Sequence, residues 1–259
     1  MTNANIFDEL IAMLQQLRDP STGCPWDLQQ TLESIVPHTI EEAYELAHAI
    51  EHKNDDETTH ELGDLLLQIL FLAQIGSEEQ KFTILDICVA LKRKLIQRHP
   101  HVFGNEHVKN AQEQALLWEK RKLTERKNIF AGIPHNLPAL SRAQKIQKRV
   151  ATVGFEFKSM QDAFFKIQEE VLEIQKELEA GLLVKAQQEL GDLLFACCNL
   201  ARFLDKDAEQ LLRQATEKFE RRFAWVEDKV QQSGKTWNET HVTDLEMFWQ
   251  QAKRNLQNL

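Results

Sequence analysis

The chain contains 259 residues and carries a formal net charge of −9 at pH 7. This length allows one large or two medium-sized domains, each able to bury its own core. The acidic balance argues against a general nucleic-acid-binding protein, because such a protein neutralises phosphates with a basic surface.

The composition predicts an all-α protein. Only 9 glycines and 6 prolines occur, and strand patterns are nearly missing. The first eight residues lack the features of a signal peptide, and the longest apolar stretch, residues 65–75, is too short to span a bilayer. We predict a cytoplasmic protein without membrane or nucleic-acid partners. Its cysteines, predicted to be reduced and mostly buried, are Cys24, Cys88, Cys197 and Cys198.

Hydrophobic periodicity predicts a series of helices along the first half. They cover residues 6–18, about 37–53, 57–75, 83–98 and 110–126. A loop containing Trp26, Asp27 and Thr31 is predicted between the first two helices. Gly76 and Ser77 are predicted to end the third.

The second half repeats the first after a connection at 128–138 that is rich in glycine and proline. We therefore predict two domains, at 1–127 and 139–259, joined by this connection. Residues one turn apart recur in both halves: Lys94 and Arg98 match Lys218 and Arg222, and Trp118 and Lys122 match Trp249 and Lys253.

The strongest pattern in the second half is a set of acidic residues on both sides of Gly181. Residues three or four apart share one face of a helix. An antiparallel hairpin that turns at Gly181 places Glu173 level with Glu189, and the same arithmetic pairs Glu170 with Asp192. The converging carboxylates oppose one another's ionisation, and a hard divalent cation such as Mg²⁺ relieves that repulsion.

The acidic pattern occurs twice, and corresponding acids are separated by the same number of residues along the chain (169 − 41 and 192 − 64). Glu169, Glu170, Glu173, Glu189 and Asp192 correspond to Glu41, Glu42, Glu45, Glu61 and Asp64. A solvated helix face does not require the gap between the third and fourth acids (189 − 173 and 61 − 45) to be the same in both copies. Gly63 and Gly191 lie inside the second acidic helix of each copy, and we predict either close helix packing or room for a ligand there. Phe195, Cys197 and Cys198 are predicted core residues.

Basic side chains are predicted on or beside the acidic faces. They are Lys166, Lys185, Lys218 and Arg222. Acidic groups that recruit a metal, surrounded by basic groups, suit a polyphosphate, because the metal bridges phosphate oxygens and the cations neutralise the rest. Trp249 is a candidate to stack on a base or to close the pocket. Taken singly, each lysine is as well explained by a surface ion pair.

The pattern EExxE, a gap and ExxD resembles the signature of the all-α nucleoside triphosphate pyrophosphohydrolases. Three further blocks resemble the two-domain MazG family: Gly23-Cys24-Pro25-Trp26-Asp27 with Gln30-Thr31, His99-Pro100-His101-Val102-Phe103-Gly104, and Gly132-Ile133-Pro134 with Leu137-Pro138-Ala139-Leu140. The likeness covers essentially the whole chain. The acidic motif alone also occurs in dUTP pyrophosphatases and phosphoribosyl-ATP pyrophosphohydrolases, so the other blocks make the resemblance specific.

The resemblance implies tandem helical domains, built like four-helix bundles, that form a homodimer. It implies Mg²⁺, for which Mn²⁺ could substitute, and cleavage of NTPs and dNTPs to the monophosphate and pyrophosphate. The implied metal ligands are Glu170, Glu173, Glu189 and Asp192, and Glu169 would orient substrate or the attacking water. The implied nucleotide contacts are Lys166, Gln168, Glu169, Lys185, Gln188, Asp192, Lys218, Arg222 and Trp249.

The two halves differ around their acids. Lys166, Lys185 and Gln188 correspond to His38, Glu57 and His60. We predict that the second half is the main hydrolase and that the first half binds metal but is weak, regulatory or specific for another nucleotide. Two alternatives remain open: a narrow enzyme for dUTP or modified nucleotides, and a non-enzymatic helical adaptor with a structural metal.

Overall fold

The computed structural model of the chain describes residues 3–106, 110 and 128–255. Regular secondary structure in these residues is entirely helical, which confirms the all-α prediction. The α-helices are α1 Asn3–Leu17, α2 Pro25–Gln29, α3 Leu32–Glu51, α4 Asp55–Glu78, α5 Ile84–Arg98, α6 Pro100–Phe103, α7 Ala139–Ala151, α8 Met160–Glu179, α9 Leu183–Phe203, α10 Ala208–Gln232 and α11 Val242–Asn255, with a 3₁₀ turn at Trp237–Glu239. The predicted helix at 110–126, with Trp118 and Lys122, lies outside the described residues except for Asn110.

The chain divides into two compact units, residues 1–108 and 109–259. In the first unit, α3 and α4 form a helical hairpin, and α1 and α5 pack on α4. The main buried cluster of this unit consists of Leu14, Ile35, Leu70, Phe71 and Ile75. The predicted apolar stretch 65–75 is therefore part of a core helix, as expected.

Local capping explains where the structure differs from the predicted start of α3. The hydroxyl of Thr31 accepts from the Ser34 N–H, and the Ser34 hydroxyl accepts from the Thr31 N–H. This reciprocal cap starts the helix at once, so that Pro37 lies inside α3 rather than near its beginning. Trp26 and Asp27, predicted in a loop, belong to the short helix α2.

The mid-helix glycines of the first unit have different surroundings. α4 continues through Gly76 and Ser77, so the prediction that they end the helix is wrong. A Cβ atom at Gly76 would lie 2.4 Å from the ring of Phe82, whereas a Cβ atom at Gly63 would meet nothing within 4 Å. Gly191 is equally open. Close helix packing is therefore the wrong explanation for Gly63 and Gly191, and open space beside the acids remains.

Two alanine substitutions in α4 should change stability in opposite directions. Gly76→Ala is expected to lower the free energy of unfolding by about 1–3 kcal/mol, because the Phe82 ring must move. Gly63→Ala is expected to raise it by about 0.5–1 kcal/mol, because alanine loses less backbone entropy and meets no neighbour. Urea denaturation of the metal-free protein, followed by far-ultraviolet circular dichroism, measures both. Shifts of the same sign would contradict this explanation of the two glycines.

The second unit is built around the hairpin of α8 and α9. Gly181, with φ of 70°, follows α8 in the left-handed conformation that favours glycine, which confirms the predicted break. α7 packs on α9, α10 contacts both α7 and α9, and α11 packs on α10. The buried cluster of this unit consists of Cys198, Ala201 and Ala208.

The cysteines only partly follow the prediction. All four are free thiols, but only Cys198 is buried, since Cys24 is half-buried and Cys88 and Cys197 are exposed. Phe195 is 44% exposed as well. The core prediction is therefore wrong for Cys197 and Phe195. Cys197 is the direct neighbour of Cys198 and so points to another side of α9, whereas Phe195, about one turn before Cys198, lines an open cavity. Among the described helices, none combines the length and the apolar character that a membrane span requires.

Candidate active site

The hairpin of the second unit brings three carboxylates together. Glu170 and Glu173 lie one turn apart on α8, and Glu189 faces them from α9. One oxygen of each lies within 4.8 Å of the others. Glu170 is only 3% exposed, and its Oε2 atom has no hydrogen-bond partner among the described residues. We call these three residues the second acid group, and their oxygens could hold a metal ion.

The electrostatics of this group are those of crowded carboxylates beside one ammonium. Desolvation, followed by the charges of Glu189 and Glu170, raises the pKa of Glu173. Lys166 Nζ lies 2.7 Å from Glu170 Oε1 and 2.9 Å from Glu169 Oε1. These hydrogen bonds, that to Glu170 first, raise the pKa of Lys166. The lysine thus neutralises part of the group, while the other oxygen of Glu170 keeps no partner in the part of the chain that the structure describes.

A cavity of about 710 Å³ adjoins the second acid group. Lys166 and Glu170 contribute to its lining, and so does Asp192. Asp192 is exposed and does not belong to the set of three mutually close carboxylates. Its predicted role as fourth metal ligand therefore stays a prediction, although it lies in the same cavity as Glu170.

The other predicted nucleotide contacts are not part of this cavity. They are Gln168 on α8, Lys185 and Gln188 on α9, Lys218 and Arg222 on α10, and Trp249 on α11. None of them contributes to the lining given by the described residues. The Trp249 ring packs 5.1 Å from the ring of Phe219, and Lys253 Nζ lies 5.8 Å from its centre. Their proposed contact with a nucleotide stays a prediction.

Several cavity residues were missed by the sequence reasoning. They include Phe130, Gln147, Phe155, Phe157, Phe195 and Arg202. The sequence contained a signal for two of them. Phe155 and Phe157 flank Glu156 and precede the acidic helix α8, much as Trp26 and Asp27 precede the acidic helix α3. Gln147 and Arg202 carry no comparable sequence signal, because packing rather than spacing brings them to the cavity.

The first unit repeats the arrangement of acids. Glu42, Glu45 and Glu61 each offer a ligand oxygen within 4.8 Å of the other two, and all three precede their counterparts by the same offset in sequence. Glu61 Oε2 is buried without a hydrogen-bond partner among the described residues. Desolvation is the largest cause that raises the pKa of both Glu42 and Glu61, and neighbouring carboxylates add to it. We call these residues the first acid group.

The surroundings of the first acid group are less basic. His38 replaces Lys166, and its Nδ1 lies 3.7 Å from Glu41 Oε2. Glu42 instead accepts a 3.4 Å hydrogen bond from the neutral amide of Gln68. Glu57, at the position of Lys185, adds a negative charge that contributes to the raised pKa of Glu61. The first acid group therefore keeps the geometry of the second without its ammonium.

Known proteins resemble this chain over most of its length. The family model of the MazG nucleotide pyrophosphohydrolase domain matches twice, at residues 30–103 and 159–226. A nucleoside triphosphate pyrophosphohydrolase of Escherichia coli (strain K12) is 44% identical over 257 residues, which cover 96% of this chain and 98% of that protein. The nucleoside triphosphate pyrophosphohydrolase/pyrophosphatase MazG of Thermotoga maritima is 41% identical over 248 residues, which cover 96% of each chain.

A relative from Bacillus subtilis is matched over only about half of its own length. The uncharacterized protein YabN of that organism is 38% identical over 95% of this chain, which corresponds to 51% of its own length.

Each of the two family matches contains one acid group, and the relatives from Escherichia coli and Thermotoga maritima match this chain almost from end to end. The chain is therefore a hydrolase that belongs to the MazG nucleotide pyrophosphohydrolase family.

Proposed function

We propose that the chain hydrolyses nucleoside triphosphates, including deoxynucleotides, to the monophosphate and pyrophosphate in a Mg²⁺-dependent reaction. The observation that carries the proposal is the second acid group, which lies next to Lys166 and an open cavity and has one buried carboxylate oxygen without a partner in the described parts of the chain. The names of the relatives from Escherichia coli and Thermotoga maritima, both nucleoside triphosphate pyrophosphohydrolases, support the same substrate class.

The residues present fit a divalent cation. Mg²⁺ is a hard cation that is usually held by a few carboxylates and completes its coordination with water and phosphate oxygens. Glu170, Glu173 and Glu189 would hold it, with Asp192 as the fourth ligand predicted from the sequence. A bound ion would supply Lewis-acid polarisation of a phosphoryl oxygen and would make water easier to deprotonate.

The side chains of the second unit supply the remaining steps. Water adds across the phosphoanhydride bond between the α and β phosphates, and that bond breaks, so no nucleophilic side chain is required. Glu169, whose Oε1 lies 2.9 Å from Lys166 Nζ, would orient the water or the substrate. The ammonium of Lys166 offsets negative charge that develops on the departing pyrophosphate. Lys218, Arg222, Lys185 and Gln188 remain predicted contacts to the triphosphate.

We also propose that the protein is a homodimer. Large apolar side chains of α8 and α9 are strongly exposed within one chain, including Leu172 at 64%, Leu190 at 50% and Leu194 at 52%. Exposed large apolar side chains that gather into a patch typically mark an interface. The free thiols fit the reducing cytoplasm, which we propose as the location.

A pyrophosphate-release screen over the eight common NTPs and dNTPs tests the proposed function. We expect pyrophosphate and the corresponding monophosphate in equal amounts with Mg²⁺, and no release when a chelator is present. Release from dUTP alone would favour a narrow enzyme that removes particular nucleotides. A rise in melting temperature with Mg²⁺, without pyrophosphate from any nucleotide, would favour a non-enzymatic adaptor and contradict the proposal.

A further inference from the structure

Two histidines one helical turn apart lie at the end of α3. His48 belongs to the last turn of the helix, and His52 is its C-cap residue. Both side chains are exposed, and the centres of their rings lie 4.0 Å apart. Each ring offers a nitrogen atom within 4.8 Å of a nitrogen of the other. Because residues four apart share one face of a helix, the backbone itself holds the two rings side by side.

A backbone carbonyl selects the tautomer of His52. The Nδ1 atom of this ring lies 2.8 Å from the carbonyl oxygen of His48, and because a carbonyl can only accept a hydrogen bond, Nδ1 carries the donated proton. In the neutral ring the lone pair is then on Nε2. Histidines that bind metals typically donate their other ring N–H to such an acceptor, which fixes both the tautomer and the direction of the ring. The contact therefore prepares Nε2 of His52 to act as a ligand.

The backbone at the end of α3 fixes the position of the pair. The His52 N–H donates to the His48 carbonyl at 3.0 Å, and the Asn54 N–H donates to the Ala49 carbonyl at 3.1 Å. Between them, Lys53 takes the left-handed conformation, with φ of 55°. This bonding closes the helix directly after His52. The helix dipole places its negative end beside the two rings, where it favours a cation.

The ligand atoms of the pair differ from those of the two acid groups. Carboxylate oxygens suit Mg²⁺, whereas imidazole nitrogens suit Zn²⁺, Ni²⁺ and Cu²⁺. Two histidines at this spacing on one helix also hold zinc in the HExxH helices of metalloproteases. We propose that His48 and His52 form a binding site for a transition-metal cation, in which the two ring nitrogens take two coordination positions and water takes others. The site is distinct from both acid groups and does not depend on the proposed nucleotide hydrolysis.

A bound ion links the C-cap residue to the last turn of α3. Only the folded helix brings the two rings together, so an ion that binds both of them stabilises the folded state over the unfolded state. The same helix carries Glu42 and Glu45 of the first acid group, and Glu45 lies three residues before His48. The ion therefore strengthens the end of the helix that positions these two acids.

Calorimetric titration with Ni²⁺ in a large excess of Mg²⁺ tests the proposal. The excess Mg²⁺ fills sites made of carboxylates and leaves a pair of imidazoles open. For the wild-type protein we expect a tight site for one Ni²⁺ ion per chain and a higher melting temperature when it is filled. His48→Gln and His52→Gln should each weaken binding on the order of tenfold or more, because one of two protein ligands is lost, and should remove the rise in melting temperature.

Two other histidines of the first unit provide the matched controls. His38 lies on the same helix, where its Nδ1 atom is 3.7 Å from Glu41 Oε2. His101 has a second histidine nearby, since its ring centre lies 5.7 Å from that of His99, but Pro100 separates the two and they are not one helical turn apart. His38→Gln and His101→Gln should bind Ni²⁺ as tightly as the wild-type protein does.

Tight Ni²⁺ binding that persists in either His48→Gln or His52→Gln would overturn the proposal. So would its absence from the wild-type protein in excess Mg²⁺, or its loss in His101→Gln. If a variant does not fold, nuclear magnetic resonance of the wild-type protein decides the question, because paramagnetic Ni²⁺ should broaden the ring signals of His48 and His52 before those of the other histidines. Equal broadening of all histidine signals, or earlier broadening of others, would contradict the assignment.

Discussion

Glu173→Gln is expected to lower the rate of nucleoside triphosphate hydrolysis by about a hundredfold to a thousandfold, whereas Glu45→Gln should leave most of the activity. Each substitution removes one charge from an acid group and keeps the side-chain volume. Glu173 belongs to the group that has Lys166 and the cavity beside it. Glu45 occupies the same position in the first acid group, where His38 replaces the lysine.

Pyrophosphate release at saturating Mg²⁺, measured for both variants in parallel, decides between the two halves. Glu179→Gln is the matched control, because Glu179 lies on the same helix as Glu173 but outside the second acid group, where it accepts a 2.8 Å hydrogen bond from Gln175, one turn away. Its rate should equal that of the wild-type protein. If Glu45→Gln abolished hydrolysis and Glu173→Gln left it intact, the roles assigned to the two halves would be reversed.

The two acid groups show how equal geometry can support unequal chemistry. Both hold three carboxylates within 4.8 Å, and both contain a buried oxygen without a partner among the described residues. In the second unit an ammonium lies 2.7 Å from one of the acids, whereas in the first unit an amide and an additional carboxylate take its place. A cation alone therefore fits both groups, but among the described residues an ammonium contacts an acid of the second group and not of the first.

The acid groups were predictable because they depend on local rules. Spacing of three residues along α8 fixes the relative direction of Glu170 and Glu173, and the left-handed turn at Gly181 returns Glu189 to them. The repeat of the acids in the first half added the evidence that this spacing was not accidental. The all-α class followed in the same way from composition and periodicity.

The cavity and the packing around the glycines were not predictable, because they depend on neighbours distant in sequence. Phe130 precedes α7 and Arg202 lies near the end of α9, yet both line the cavity. The sequence showed that Gly63 and Gly191 lower the stability of the helices that contain them, but it could not show that the space beside them is open. An apolar residue such as Phe195 likewise indicates contact with something apolar, without specifying a core or a cavity.

Arg18→Met should be the most destabilising single substitution considered in the first unit. Arg18 is 8% exposed, and its Nε and Nη2 atoms donate to Glu78 at 2.6–3.0 Å. Nη1 donates to the carbonyls of Asp27 and Gln30, and the group lies 5.5 Å from the centre of the Phe71 ring. Breaking a buried ion pair usually costs about 3–5 kcal/mol. The side chain of Glu78 is 34% exposed, so water offsets part of the loss, and we expect about 2–3 kcal/mol.

The pH dependence of this loss identifies its cause. The hydrogen bond from Arg18 is the largest effect that holds the pKa of Glu78 below its usual value. A carboxyl group with a depressed pKa in the folded state contributes its stability above the unfolded pKa, about 4.3, and loses it as the pH falls through the folded value. The difference between wild-type and Arg18→Met unfolding free energies, measured with urea, should therefore be larger at pH 7 than at pH 3.

An exposed ion pair in the same unit provides the control for Arg18. Lys81 Nζ lies 2.8 Å from Glu79 Oε2, with side chains that are 57% and 39% exposed. Because water screens such a pair, Lys81→Met should cost no more than about 1 kcal/mol at pH 7. If both variants lost the same stability, burial of the guanidinium would not be what makes Arg18 important. A loss at Arg18 that did not change between pH 7 and pH 3 would instead assign its effect to the carbonyls of Asp27 and Gln30, which do not titrate.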